Sequence, residues 1–523
     1  MGSENARDYK SIPGFSVDVL KKGSDGSDGS GGRVHFVGIK GTGMCALAEL
    51  MHNQGIFVSG SDTNEVFYTD AILKELGIPY FESFDASHIM MVREGKTLPP
   101  DLLIFSAAYS EETNSEISEA KKLNIPAEKY SDALGYYSAG FDSTGIAGVH
   151  GKTTTAALSG TLLKGIGMPA QILVGSAVSS FGGRSTLYLG DKYFVAETCE
   201  YRRHFLSFHP SRIILTSVES DHQDYFPKYE DIREAFLEYG RLLPPEGELI
   251  YCADDPGASE VAAALKTEKR DLKLVPYGFS ANGDFRIEMF RIENERIVIK
   301  LKFFPGELKI RIPGRHTALN AAAAIALSSI LVGKEFGNGN NDGWDDDRME
   351  GLRNALEEFS GSRRRSEILG EAGGILFMDD YGHHPTAIKS TLEGLRAFYP
   401  NRRLLVSFMS HTYTRTAALL DEFAASLEKA DMVILHRIYA SAREVYHGGV
   451  NGRTLFEKTG ELMERNPVEE GRRRVFYFEE PEEGADFLKG ILEPGDLFIT
   501  MGAGDNWKLG KILYDFYRER EAG

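Results

Sequence analysis

Short apolar runs alternate with helix-period stretches along most of the chain. Val34-His-Phe-Val37 is one such run, followed by a glycine turn and a helical stretch around Cys45–Gln54. Ile56–Ser59 and Leu102–Ser106 read as the next strands, with a helix near Thr69–Leu76 between them. Alternating units of this kind predict an α/β protein with parallel, doubly wound sheets. A second block starts at Gly145, with strands at Gly145–Ala147, Tyr193–Ala196, Ile213–Ser217 and Leu249–Cys252. A strand-rich part follows at Arg286–Phe290, Arg296–Phe303 and Glu307–Ile312, and then a helix after Pro313-Gly314 that runs through an alanine-rich stretch. A third block begins near Gly361, with strands at Ile375–Met378, Leu404–Phe408, Met432–Leu435, Val475–Phe478 and Leu497–Thr500.

The polar stretches divide these blocks. Residues 23–32 (GSDGSDGSGG) form a flexible linker with little to bury. Residues 336–347 and 466–474 read as surface insertions. The expected division is a tail at 1–32 and domains at 33–143, 144–360 and 361–523. A length of 523 residues agrees, since one hydrophobic core rarely grows past about 250–300 residues.

Composition narrows the class. Hydrophobic residues make up 42% and charged residues 26%, ordinary values for a globular chain. The formal charge of −18 argues against a nucleic-acid binder, although a local cradle of N–H groups can still hold a small anion. Cys45, Cys199 and Cys252 are widely spaced and form no CxxC, so a reducing compartment is expected. Met1–Val19 lacks the apolar core of a signal peptide, and the apolar stretch Ala321–Val332 reads as too short to span a bilayer. The expectation is a cytoplasmic protein without a membrane partner, a monomer or homodimer.

Two glycine turns carry candidate chemistry. Gly41-Thr42-Gly43-Met-Cys-Ala46 follows a strand and opens a helix, and Gly38 lengthens the turn. Such a turn brings backbone N–H groups to a diphosphate at a helix N-terminus. Asp62 lies 21 residues beyond Gly41, at the end of the next strand, where a ribose-binding acid sits in dinucleotide folds. A nucleotide-type ligand, NAD and a purely structural turn all fit this motif.

Gly148-Val-His150-Gly151-Lys152-Thr153-Thr154-Thr155 is the second turn. It has phosphate-loop chemistry. Backbone N–H groups cradle phosphates, Lys152 reaches the β and γ oxygens, and the Thr153 hydroxyl meets Mg²⁺. The loop is shorter than GxxxxGK[ST], because Ile146 stands where the first glycine is expected. Two phosphate sites in one chain suit an enzyme that joins a nucleotide-bearing substrate to something else at the expense of ATP.

Polar clusters follow several strands. Glu197-Thr-Cys-Glu200 and Glu219-Ser-Asp221-His222 lie at strand C-termini, the side on which open α/β sheets bind ligands. Glu197 and His222 are candidate Mg²⁺ ligands, with a solvated acidic loop as the alternative. Asp379-Asp380-Tyr381-Gly-His383-His384 and His411-Thr-Tyr-Thr-Arg415 follow two later strands.

Together these segments resemble the Mur ligase family. The matching runs are GIKGTGM (38–44), GVHGKTTT (148–155), ETCEY (197–201), ESDHQDYF (219–226), PGRHTALNAAAAIA (313–326), GSRRRSE (361–367), DDYGHHPT (379–386), HTYTRT (411–416) and MGAGD (501–505). DDYGHHPT with HTYTRT is most similar to the branch that adds L-alanine to UDP-N-acetylmuramate, a step in peptidoglycan precursor synthesis. The resemblance implies three domains: a Rossmann-like UDP-substrate domain, a central ATPase domain and a C-terminal Rossmann-like amino-acid domain. It implies that Gly38, Gly41, Thr42, Gly43, Asp62 and Ser106 bind the UDP substrate. ATP would meet Gly148, His150, Gly151, Lys152, Thr153, Thr154, Asn320, Arg364 and Asp380. Thr153, Glu197 and His222 would hold Mg²⁺, and Tyr381, His383, His411 and Arg415 would shape the amino-acid pocket. Lys152, Glu197, His222, His383 and Arg415 are the expected catalytic set.

This sequence departs from the family pattern at Thr412, Thr317, Ser217 and the ETCEY run. A ligase for another acceptor, a nucleotide-binding paralogue without catalysis and a nicotinamide-dependent oxidoreductase are the alternatives.

Overall fold

The computed structural model describes residues 32–93, 96–221, 225–338, 342–440, 446, 448–465 and 474–522. The 23–32 linker (apart from Gly32), the 466–474 insertion (apart from Arg474) and His222 lie outside the described residues. The chain divides into two compact units: residues 1–287 with 319–352, and residues 288–318 with 353–523.

The first unit holds two sheets. One has five parallel strands in the order Tyr80–Phe81, Phe57–Ser61, Arg33–Val37, Leu102–Phe105 and Ala127–Lys129. Arg33–Val37 is central: the chain runs outward through Phe57–Ser61 and Tyr80–Phe81 on one side and returns to Leu102–Phe105 on the other. That makes its C-terminal end a switch point, where such sheets bind ligands. In the other sheet Arg184–Tyr188, Ala170–Val178, Tyr193–Glu197, Asp142–Ala147, Arg212–Leu215, Glu248–Cys252 and Lys273–Gly278 lie side by side. One apolar cluster runs from Val34, Leu47 and Leu50 through Tyr137 to Phe194, Phe205 and Phe236, so both sheets share a core. Glu49 also accepts hydrogen bonds from Arg184 and Thr186 across that packing.

The helix Arg315–Phe336 is apolar on nearly every face, and Ala321–Leu327 is fully buried. Its length and composition would suffice to cross a membrane, which corrects the expectation that this stretch is too short. In the structure 72% of its apolar window is buried by protein.

In the second unit the sheet order is Glu367–Ala372, Ile375–Asp380, Asp496–Gly502, Arg403–Met409, Met432–Leu435 and Arg474–Tyr477. Phe377, Leu405, Ile434, Phe498 and Leu513 form its core. Arg296–Leu301 and Leu308–Ile310 add an antiparallel pair.

The sheets are parallel-rich, and two further edges turn back antiparallel. Glu367–Ala372 pairs antiparallel with Ile375–Asp380 through Gly373-Gly374, both at positive φ (61° and 70°), the backbone of a two-residue hairpin. Arg184–Tyr188 likewise turns back on Ala170–Val178 through Gly182 and Gly183. The 336–347 stretch is also not wholly a surface insertion. Trp344 is buried, and the helix Asp346–Glu358 begins inside it.

Candidate active site

The first glycine turn leaves the end of Arg33–Val37. Gly38 takes a left-handed φ of 86°, and a Cβ there would sit 2.9 Å from the Tyr109 ring. Gly41 needs no such freedom (φ −58°); it is the N-cap of the helix Thr42–Asn53. No side chain caps that helix and no acid stands in its first turn, so its leading N–H groups face outward as donors. Both oxygens of Asp62 accept from backbone, Lys40 N at 2.7 Å and Thr63 N at 2.8 Å. Asp62 therefore holds the turn in shape.

Beyond the turn lies a cavity of about 930 Å³ lined by Gly41, Thr42, Gly43 and Ser106, with Tyr130 and Arg202 also on its wall. A smaller cavity of about 200 Å³ shares Gly43, Tyr130, Ser131 and His204 with it and extends to Glu197, Thr198 and Cys199. The two form a trough that runs from the first glycine turn to the end of Tyr193–Glu197.

The second glycine turn stands beside that end. Asp142–Ala147 is flanked in the sheet by Tyr193–Glu197 and Arg212–Leu215, so Gly148, Glu197 and Thr216 come from the C-terminal ends of three adjacent strands. Gly148 has φ 137°, and a Cβ there would lie 2.1 Å from Thr216 Oγ1. Thr216 Oγ1 donates to His150 O, and His150 N donates to Ser217 Oγ at 2.9 Å, which fixes the loop. Gly151 is left-handed (φ 83°) and caps the helix Lys152–Gly165, again with no side-chain cap and no acid in the first turn. Thr154 lies in that first turn. Asn320 comes from the helix Arg315–Phe336 and lies against the loop, its Oδ1 within 2.7 Å of where a Gly151 Cβ would be.

Thr153 Oγ1 donates to Glu197 Oε1 at 3.0 Å, and Gly175 N donates to Glu197 Oε2 at 2.7 Å. A hydroxyl and a carboxylate side by side at an uncapped helix start fit Mg²⁺, which takes few protein oxygens and keeps water and phosphate ligands. Among the described residues no three His, Cys, Asp or Glu side chains gather as a metal cage.

The second unit carries its own cluster, at the ends of Ile375–Asp380, Asp496–Gly502 and Arg403–Met409. Arg364, at φ 59°, donates to Gly502 O and Gly504 O, and its Nε lies 3.3 Å from Asp379 Oδ2. Burial pushes the Asp379 carboxyl up to about 6, against the pull of Arg364 and Thr500. Asp380 accepts from Ser366 N and Gly382 N, each at 2.7 Å. His383 Nδ1 is 3.0 Å from Tyr381 O. A carbonyl only accepts, so Nδ1 carries the proton and Nε2 of the neutral ring is an acceptor. Burial holds His383 below the usual histidine range, and Arg415 and His411 push it further down. The His383 and His411 rings are 6.0 Å apart. Arg415 Nη1 is buried with no hydrogen-bond partner among the described residues. Thr412 has φ 67°, a strained conformation for a β-branched residue, and it directly precedes the helix Tyr413–Ala418 that carries Arg415.

Comparison with known proteins matches three segments. Residues 33–142 match the Mur ligase family catalytic domain, 146–328 the Mur ligase middle domain, and 364–504 the Mur ligase glutamate ligase domain. The chain belongs to the Mur ligase family. Similar Mur ligases include the UDP-N-acetylmuramate–L-alanine ligase of Treponema pallidum, 50% identical over 96% of this chain and all of that protein. The enzyme of the same name from Borreliella afzelii is 36% identical over 92% of this chain and 98% of its own length. The crystal structure of a UDP-N-acetylmuramate–alanine ligase from Thermotoga maritima superposes with a TM-score of 0.69 at 26% identity, covering 93% of this chain and 99% of that one.

In this Mur ligase the glycine turns, Glu197 and Asn320 lie in the first unit, and Arg364, Asp380, Tyr381, His383, His411 and Arg415 in the second. The sequence reading missed Tyr130, Gly175, Arg202 and His204; none sits in a chemical motif of its own, and each matters through what it packs against. It placed Glu200 in the acidic run after Tyr193–Ala196 without giving it a task.

Proposed function

We propose that this Mur ligase joins L-alanine to the lactyl carboxylate of UDP-N-acetylmuramate and drives the amide bond with ATP. The observation that carries the reading is the trough from the first glycine turn to Glu197 and Thr153, beside the second turn. It suits a long substrate anchored by its diphosphate at one end and presenting a carboxylate at the other. In this reading residues 33–143 bind the UDP substrate, 144–360 bind ATP and 361–523 bind the amino acid. The expected compartment is the cytoplasm.

A carboxylate is a poor electrophile, so ATP must supply the leaving group. The lactyl oxygen attacks the γ phosphorus, an O–P bond forms, the bond to the β-phosphate oxygen breaks, and ADP leaves. The alanine nitrogen then attacks the acyl carbon, a C–N bond forms, and phosphate leaves with the C–O electron pair. Thr153, Glu197 and His222 would hold Mg²⁺, which would supply positive charge to neutralise the phosphates. The N–H groups after Gly151 and the Lys152 ammonium orient the phosphates. Nε2 of neutral His383 accepts the proton that the alanine amine gives up, and Arg415 pairs with the alanine carboxylate.

The test is phosphate release from ATP with Mg²⁺ and UDP-N-acetylmuramate, adding amino acids singly, with the product weighed by mass spectrometry. Release greatest with L-alanine, together with the alanyl product, is the expected result. Release only with another acceptor moves the substrate within the family, and ATP binding without release under any acceptor refutes the ligase.

A further inference from the structure

Lys152 of the second glycine turn is paired with a carboxylate, Glu200, that the reaction scheme leaves without a task. Lys152 Nζ lies 2.9 Å from Glu200 Oε2 and 3.0 Å from Oε1, and it also donates to Gly148 O and, at 3.3 Å, to Val149 O. An ammonium has three donors, and four acceptors already surround this one. A phosphate oxygen can bind only by displacing some of them.

The relative strengths decide which give way. The two carbonyl bonds are charged only on the lysine side, while the Glu200 contact joins two full charges. Glu200 is 2% exposed. If Lys152 left it, the buried carboxylate would lose this cation beside a polyanion, and breaking such a pair on one side is strongly unfavourable. The loop carbonyls therefore yield first, and the carboxylate keeps its hold on the ammonium.

We propose that Glu200 is a positioning residue: it stays bonded to Lys152 when ATP binds and fixes where the ammonium meets the transferring phosphate. The inference rests on the reading of Lys152 as the nucleotide-binding lysine. Its consequence is an unusual pattern. Removing Lys152 alone leaves Glu200 repelling ATP, while removing both removes the repulsion. Removing the Glu200 charge alone frees the lysine to bind phosphate but lets it drift from the transferring group.

The experiment is a cycle of four full-length proteins: wild type, Glu200→Gln, Lys152→Met and the double variant. ATP binding with Mg²⁺ is read by calorimetry and phosphate release by steady-state kinetics. Lys152→Met should weaken ATP at least thirty-fold, and adding Glu200→Gln should restore at least ten-fold. Glu200→Gln alone should bind ATP as tightly as wild type or more so, with kcat reduced at least thirty-fold. Glu200→Asp, which keeps the charge on a shorter arm, should lose only three- to ten-fold in kcat. No recovery of binding in the double variant, or a Glu200→Gln kcat within three-fold of wild type, overturns the proposal. If Glu200→Gln does not fold, Glu200→Asp decides alone, and a kcat within two-fold of wild type overturns it. A wild type that binds ATP but turns over no acceptor refutes the ligase reading, while the binding cycle still judges Glu200.

Discussion

Arg415 offers the sharpest test of the proposed amino-acid pocket. Its Nη1 is buried without a hydrogen-bond partner among the described residues, near His383, which it pushes toward the neutral form. A buried donor left without an acceptor is costly, and the guanidinium fork matches a carboxylate. Replacing Arg415 by Ala removes the ligand's partner and leaves the glycine turns of the first unit untouched. A hydrogen bond to a charged group contributes about 1.5–3 kcal/mol, which corresponds to roughly 10- to 150-fold in the KM for L-alanine. Arg415→Lys keeps the charge but loses the fork, and should fall between the two. The assay is initial-rate phosphate release against L-alanine at saturating ATP and UDP-N-acetylmuramate, repeated with L-alaninamide, which has no carboxylate. Wild type should discriminate against the amide by a similar factor, and Arg415→Ala should lose most of that discrimination. If the variant discriminates as strongly as wild type, or if the KM for UDP-N-acetylmuramate rises equally, Arg415 does not read the carboxylate.

Gly43→Ala would place a Cβ 2.9 Å from Cζ and the hydroxyl of Tyr130, driving the ring into the trough. Overpacking of this kind costs about 1–3 kcal/mol, so the KM for UDP-N-acetylmuramate should rise about ten-fold or more while calorimetric ATP affinity stays within two-fold; an unchanged KM would show that the ring is not part of the binding wall. Asp379 gives a pH signature in stability. Its folded carboxyl sits near 6, above the ordinary 3.8, so its contribution is fully present below about pH 4 and is lost as pH rises through 6. Between pH 5 and 7 that loss is about 1 kcal/mol by linkage. In denaturant titrations wild type should lose this much relative to Asp379→Asn over that interval, and a parallel pair of pH curves would refute a buried, raised carboxyl.

How much of this was legible depended on whether a residue's task is local. Gly148, Gly151, Lys152 and Thr153 act through one turn of backbone, so their spacing along the chain already encodes the cradle. The acids and histidines at the ends of Ile375–Asp380 and Arg403–Met409 were legible as candidates because a strand end in a parallel sheet faces the ligand side. Glu200 and Arg202 lie a few residues from Glu197, yet their partners are Lys152, 48 positions back, and a cavity built largely by the other sheet. No periodicity announces such a pairing. The strand Ala170–Val178 was missed for a related reason. Its Gly175 interrupts the apolar run, and the structure uses that position for a close approach: a Cβ there would come within 2.7 Å of Glu197 Oε2.

The packing between the first two sheets is equally hard to read along the chain. Read along the chain, residues 33–143 and 144–360 each have the strands and helices of a separate domain. In the folded chain Phe205 and Phe208 join a cluster that also contains Leu134 and Leu50, and Glu49 is buried against Arg184 and Thr186. Burying that apolar surface and leaving no bare carboxylate both require the two sheets to stay together. The trough inherits this rigidity, because Gly43 and Tyr130 on one side and Glu197 and His204 on the other belong to one packed body. A substrate held at the first glycine turn is therefore set at a fixed distance from the phosphate loop.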